Sequence, residues 1–171
     1  MKINILLSLL GLTVLTLLLA GCGDDTTIKF KDKETGSEYE IEADEDGNSK
    51  VKVETEDGEI VSETGSSAKI PEALPADFPW PKNMIIEVTQ SHSDESTETH
   101  TVLFNFEEEA DEIFEAMKNY ATDNGLPINL EQQSEMDGEK YFLLNAGTEE
   151  NGFQISMEAS SGMVIFFAPK K

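Results

Sequence analysis

The sequence offers few side chains whose type and spacing could do chemistry, and Cys22 is the clearest of them. It is the only cysteine in 171 residues, and it lies between an apolar run and the pair Asp24-Asp25. A single thiol cannot form an internal disulfide, so its chemistry is either modification of the sulfur or none. The residues before it decide between these two interpretations.

The segment before Cys22 has the composition of a secretory signal peptide. Lys2 is followed by an apolar stretch from Ile3 to Ala20 that contains a few polar side chains and ends in small residues. This stretch is close to the minimum of about 17 residues that spans a bilayer, so an uncleaved transmembrane helix is the alternative. The internal polar residues and the small-residue exit favour cleavage, and we expect residues 1–21 to be removed.

The exit sequence Leu19-Ala20-Gly21-Cys22 resembles the lipobox of bacterial lipoproteins. The resemblance implies cleavage before Cys22 and attachment of a diacylglycerol to its sulfur, with Cys22 as the mature N-terminus. Two or three acyl chains, at about 0.8 kcal/mol per buried methylene, would make membrane attachment essentially permanent. The expected location is the extracytoplasmic side of the cell membrane, and the choice between inner and outer membrane stays open.

Composition excludes some classes of partner. The chain has 12 lysines, no arginine and 35 acidic residues, which gives a net charge of −23. A polyanion without arginine is poorly suited to bind phosphate groups or nucleic acid. Anionic lipid surfaces would repel it as well, so the acyl chains rather than charge must hold it at the membrane.

Residues 28–64 alternate between apolar and polar side chains, which predicts an antiparallel β-meander. The turns indicate its register. If Ile41 faces Val51, the intervening loop has three residues and ends at Gly47, where a type I turn with a left-handed bulge prefers glycine. One face of this meander is apolar and needs a cover.

A proline-rich segment, residues 65–83, follows the meander. Four of the six prolines lie between Pro71 and Pro81, and they predict a stiff strap rather than a flexible linker. Phe78 and Trp80 are expected to pack where the strap crosses the body of the protein.

The strap sequence Leu74-Pro75-Ala76-Asp77-Phe78-Pro79-Trp80-Pro81 is similar to a Leu-Pro-x-Asp-Phe-Pro segment in a loose group of uncharacterised bacterial exported proteins and lipoproteins. The proline spacing departs from that group by one residue, and Gly125-Leu126 stands where the group often has Gly-Trp. The resemblance implies a strand–strand–helix–strands domain after the strap and implies no activity.

The pattern after residue 84 is that of an α+β domain. Strands are expected in six segments, at residues 84–90, 99–106, 128–135, 140–146, 152–159 and 163–168. A helix with Asn105 as its N-cap is expected to end at Gly125 and Pro127. Its apolar face is predicted from side chains at helical spacing: Ala110, Ile113, Phe114, Met117, Tyr120 and Ala121.

Two of the later strands, YFLLNA and MVIFFA, are apolar on both faces, as is typical of central strands that are buried on both sides. One helix covers only one face, so we expect the meander to cover the other. The predicted fold is α+β: an N-terminal antiparallel β-meander, a Pro-rich strap, then a ββαββββ antiparallel sheet with one helix packed on a face. The expected divisions are 1–21 (signal peptide), 22–27 (tether from lipidated Cys22), 28–64 (meander), 65–83 (strap) and 84–171 (ββαββββ domain).

Two acidic segments could be metal sites. The first gathers two imidazoles and three carboxylates: His92, Asp94, Glu95, Glu98 and His100. The second, residues 42–47, follows a calcium loop in part, but Val53 stands where that loop needs its bidentate glutamate. A solvated loop and a hairpin turn explain the two segments without a metal, and we predict no metal site and no cofactor.

The sequence contains no Gly-x-Ser-x-Gly, His-Glu-x-x-His or glycine-rich phosphate loop. We therefore expect a non-enzymatic, lipid-anchored envelope protein that binds another envelope protein. The alternative is a carrier or sensor of a small apolar ligand, held in a closed cavity lined by the aromatic side chains Phe142, Phe153, Phe166 and Phe167.

Overall fold

Ten strands form one antiparallel sheet in the computed structural model, which describes residues 26–170. Cys22 and the expected signal peptide lie outside the described residues. A single α-helix accompanies the sheet in this part of the chain, so the expected α+β class takes a form that is mostly β. The strands are β1 (Thr26–Lys31), β2 (Glu38–Ala43), β3 (Ser49–Thr55), β4 (Gly58–Thr64), β5 (Ile85–Ser93), β6 (Thr97–Asn105), β7 (Ile128–Met136), β8 (Glu139–Gly147), β9 (Gly152–Met157) and β10 (Ser161–Pro169), and the helix is α1 (Ala110–Asp123).

The order of the strands across the sheet is β1-β2-β3-β4-β5-β6-β10-β9-β8-β7. The first six strands are neighbours in space in the order of the chain. The helix α1 then connects β6, in the middle of the sheet, to β7 at the far edge. The strands β8, β9 and β10 follow in order from β7 back toward the middle, where β10 pairs with β6. Among the described strands, β1 and β7 are the outermost, and every residue of β7 is exposed.

The cross-strand partners in β1–β4 are those expected from turn chemistry. Ile41 lies opposite Val51, and the amide of Asp44 donates to the carbonyl of Asn48 across a three-residue loop. Gly47, the third residue of that loop, has a φ of +84°, where a side chain would be strained. Local turn geometry therefore sets the register in this part of the sheet.

The expectation that the N-terminal strands cover the other strands as a second layer is wrong. The strand β4 pairs directly with β5, with Thr64 opposite Val88, and all ten strands belong to one sheet. Two stacked sheets would leave the backbone N–H and C=O groups along β4 and β5 without ladder partners, whereas lateral pairing satisfies them. The apolar side of β1–β4 therefore lies on the side of the sheet opposite to the buried core of β6 and β8–β10.

The proline-rich strap packs on the sheet, as its aromatic residues predict. Leu74 and Phe78 are buried, and the centroid of the Phe78 ring lies 4.7 Å from the ring centroids of both Trp80 and Phe166. The helix α1 packs against the same core. The side of the sheet that α1 and the strap cover is called the helix face below, and the opposite side is called the open face.

The helix begins later than its capping pattern suggests. Glu109 precedes its first turn, and Asn105, the expected N-cap, is instead the last residue of β6 and donates from Nδ2 to Glu87. The reason is burial, because Phe106 is only 5% exposed and is held in the core before the helix begins. The apolar face is as predicted, with five side chains buried and Tyr120 packed at its margin: Ala110, Ile113, Phe114, Met117 and Ala121.

Two ion pairs join α1 to the strands near the far edge. Lys118 lies 2.8 Å from Glu131 of β7, and Lys140 of β8 lies 2.6 Å from Asp111. Both pairs are accessible to solvent, which screens them, so they add little to stability. They also establish that Glu131 and Lys140 project from the helix face.

Candidate functional site

The open face is the most distinctive surface of the described residues. Successive residues of a strand point to opposite sides of a sheet. In β10 the buried side chains Val164 and Phe166 belong to the core under α1, so Met163, Ile165 and Phe167 point to the open face. The registers of the neighbouring strands extend this assignment across the whole sheet.

Two apolar patches occupy the open face. The N-terminal patch lies on β1–β4 and comprises Ile28, Phe30, Tyr39, Ile41, Val51, Val53 and Ile60. The C-terminal patch lies mainly on β6, β10 and β8 and comprises Leu103, Leu143, Met163, Ile165 and Phe167. A polar band without lysines or carboxylates separates them and comprises Ser62, Gln90, His92, Thr99 and Thr101.

Charge is segregated between the two faces. All five lysines of the described strands project from the helix face: Lys29, Lys31, Lys50, Lys52 and Lys140. On the open face of residues 26–170, strand carboxylates occur only at two marginal positions, Glu87 at an irregularity in β5 and Glu139 at the start of β8. This distribution is notable in a chain with 35 acidic residues.

Lysines and glutamates neutralise one another on the helix face of β1–β4. Lys29 lies 2.6 Å from Glu40, and Lys52 lies 2.7 Å from Glu54 and 2.8 Å from Glu59. The pKa of Lys52 is raised because its ammonium group donates to both carboxylates. These ion pairs make the helix face of β1–β4 hydrophilic. The open face of the same strands carries no lysine or carboxylate.

The side chains considered above as a possible metal cluster do not converge. His92 lies opposite Thr99 and points to the open face, whereas His100 lies opposite Ser91 and points to the helix face. Asp94 instead stabilises the β5–β6 turn, where the backbone amides of Ser96 and then Thr97 hold the pKa of its carboxyl at about 2. Within residues 26–170, no three histidine, cysteine, aspartate or glutamate side chains are grouped so that they could hold a metal ion.

A polar group on the helix face was not anticipated from the sequence. The hydroxyl Oγ of Ser91 lies 2.8 Å from Nδ1 of His100, and the buried Nε2 of that ring has no hydrogen-bond partner in the structure. The nearest carboxylate oxygen, on Glu98, is 3.9 Å from Nε2, too far for the hydrogen bond that orients a catalytic imidazole. The hairpin register that places Ser91 opposite His100 is the signal that could have revealed this group.

Burial makes the protonation of His100 unfavourable to folding. Desolvation lowers the pKa of this imidazole, and the nearby Glu98 carboxylate opposes the shift only in part. The unfolded chain therefore binds this proton first as the pH falls, so the free energy of unfolding should decrease from about pH 7 through the ordinary histidine pKa of about 6.5 and below. Urea unfolding curves recorded between pH 7.5 and pH 5 measure this decrease.

The variant His100→Gln should lose this component of the pH dependence, because glutamine does not titrate. The matched control is His92→Gln, which removes an exposed imidazole on the open face and leaves His100 and Ser91 in place. Parallel profiles for native protein and His100→Gln would contradict the assignment.

Four concavities with volumes from about 230 to 380 Å³ lie on strands of the described residues, and α1 lines none of them. The one on the C-terminal patch has a volume of about 230 Å³ and is lined in part by Leu103 and Met163. The enclosed cavity that a ligand carrier needs, between the sheet and its helix, is not among these four. The segregation of charge, rather than any of these concavities, makes the open face the surface from which we infer function.

The chain matches no protein-family model, no curated protein and no solved structure. Within residues 26–170, no helix combines the length and the apolar character that a bilayer span requires. Function is accordingly inferred from the residues of this chain alone.

Proposed function

We propose that this protein is a lipid-anchored, non-enzymatic binding protein of the cell envelope, and that the open face of its sheet is the binding surface. The observation that carries the proposal is the charge segregation. Lysines and glutamates are concentrated on the helix face, while the open face of a ten-stranded sheet has carboxylates only at its margins. Random placement of charge would not leave such a surface in so acidic a chain.

The open face also leaves large apolar side chains exposed to solvent. Phe30 is 45% exposed and Leu103 is 37% exposed, and the other side chains of both patches are mostly half-buried without any described layer above them. Contiguous apolar surfaces larger than a few hundred Å² are uncommon on monomeric proteins and mark sites of interaction. The hydrophobic effect therefore favours association through this face.

The expected anchor determines where such a partner would be found. Three residues separate Cys22 from Thr26, the first residue of β1, and the four Cα–Cα steps between them span at most about 14 Å when fully extended. A chain lipidated at Cys22 would hold the N-terminal edge of the sheet within that distance of the bilayer. The partner would accordingly be a component of the same envelope compartment.

The variant Cys22→Ser tests the anchor. Serine lacks the thiol that accepts the glyceride, so we expect mass spectrometry to find no lipid on this variant and an unprocessed N-terminus, whereas the native chain gains an acylated Cys22. The control variant Gly21→Ala keeps a small residue before the cysteine and should be processed normally. An intact initiator methionine on the native protein would overturn the anchor.

Pull-down of the tagged full-length chain from detergent extracts tests the binding surface. We expect the native chain to enrich a protein partner, and we expect Leu103→Lys to lose it because a buried, unpaired ammonium group opposes association. Gln133→Lys introduces the same charge at an exposed position of the helix face and should keep the partner. Repeated failure of the native chain to enrich any protein, its own copies included, would overturn the proposal.

A further inference from the structure

We infer that the open face binds the open face of a second copy of this chain, so that the two sheets stack as a β-sandwich. This inference rests on the proposed function, because it names the partner of the same surface. It follows from the charge of the chain, the area of the face and the distribution of polar groups on it.

Electrostatics favours this arrangement for two copies of an acidic chain. Each copy has a net charge of −23, so association through the helix faces would bring many carboxylates together. Stacked sheets lie about 10 Å apart, and the charged side chains of each copy would project outward from the stack. Carboxylates of the two copies would then be on the order of 20 Å apart, which is about two and a half times the Debye length of about 8 Å at physiological ionic strength.

The area of the face is sufficient for a stable dimer. Ten strands spaced by about 4.8 Å, each about 20 Å long, give a face on the order of 1,000 Å². Stacking two such faces would bury roughly 2,000 Å² in total, within the range of permanent homodimers. A single patch would bury only about half of that, near the lower limit for specific interfaces, so both patches are needed.

The distribution of polar and apolar side chains on the open face is self-complementary under a two-fold rotation. The polar band on β4–β6 lies between the two apolar patches, so a two-fold axis in the plane of the interface places apolar side chains on apolar side chains and the band on itself. Hydroxyl and amide groups such as those of Gln90, Thr99 and Thr101 can then hydrogen-bond across the interface. A hydrocarbon surface would leave these groups without partners, which is costly.

Co-purification of two tagged forms tests the inference. Full-length chains with different tags are produced in the same cells, extracted in excess detergent and captured through one tag. We expect native copies to capture one another, and we expect Leu103→Lys in both copies to reduce the captured fraction at least tenfold. Gln133→Lys in both copies should leave capture unchanged, and cooperative thermal unfolding of both variants would show that they fold.

Two results would overturn the inference. Native copies that fail to capture one another would do so, and so would capture that survives Leu103→Lys, since shared detergent micelles or another surface would then explain it. If a different envelope protein is enriched by native chain and lost from Leu103→Lys, the inference fails while the proposed function stands. If the native chain captures neither its own copies nor another protein, both fail.

Discussion

Replacing Phe78 with alanine is expected to lower the free energy of unfolding by about 4 kcal/mol. Phe78 is 4% exposed, and its ring lies within 4.7 to 5.3 Å, centroid to centroid, of four other aromatic rings. It fixes the proline-rich strap to both the sheet and α1, because its partners include Phe166 of β10 and Tyr120 of α1. Truncation would remove these contacts and leave a cavity under the strap. Urea unfolding followed by circular dichroism measures the loss.

The matched control for this change is Phe30→Ala. Phe30 is 45% exposed and has a single stacking partner among the described residues, Tyr39, at 4.6 Å, so in the monomeric chain its truncation should cost about 1 kcal/mol or less. A cost for Phe78→Ala no larger than that for Phe30→Ala would mean that the strap is not part of the core.

The second large effect is expected from Gly152→Ala. A β-carbon at Gly152 would lie 2.3 Å from the carbonyl oxygen of Ala146, 2.7 Å from Cα of Gly147 and 2.9 Å from Cζ of Phe167. The first two atoms belong to the backbone of β8, which is held by ladder hydrogen bonds to β9 and cannot move independently. The strands would have to separate locally, and we expect a loss of about 3 kcal/mol in the free energy of unfolding.

Gly36→Ala is the control for conformational cost alone. Gly36 has a φ of +74°, but a β-carbon there would meet no atom within 4 Å, so the expected loss is about 1 kcal/mol. The same urea titrations compare the two variants. Equal losses at the two positions would show that β8 and β9 tolerate separation at this point.

Local features of the fold were predictable because local chemistry determines them. The loop that ends at Gly47 sets the pairing of Ile41 with Val51, and apolar spacing alone identifies the buried side of α1. The start of α1 was not predictable from its capping pattern, because burial of Phe106 outweighs the preference of Asn105 for an N-cap position.

The arrangement of the strands could not be predicted from alternation. An apolar side indicates that a strand packs against something. The alternation of apolar and polar residues is the same whether two groups of strands stack as layers or pair edge to edge in one sheet. Lateral pairing of β4 with β5 joins Thr64 to Val88 across the whole proline-rich strap. That contact is distant in sequence, and no property of the individual strands specifies it.

The two histidines lie on opposite faces for a related reason. His92 and His100 are both even-numbered, so in one continuous strand they would share a face. The β5–β6 turn pairs His92 with Thr99 and Ser91 with His100. Even-numbered residues of β5 beyond the irregularity therefore point to the same side of the sheet as odd-numbered residues of β6. The turn register therefore separates the two imidazoles. It also brings together the residues of the polar band on the open face, which the sequence alone did not reveal.

The strands β1 and β7 are the outermost of the described sheet. This arrangement determines how far a chain lipidated at Cys22 would extend from the membrane. Because the acyl chains would be attached beside β1, the remaining nine strands extend sideways from the point of attachment, by about 43 Å at 4.8 Å per strand. The number of strands, rather than the length of a flexible stalk, would then set how far the molecule can project from the lipid headgroups. Each added or deleted hairpin would alter that height by about 10 Å.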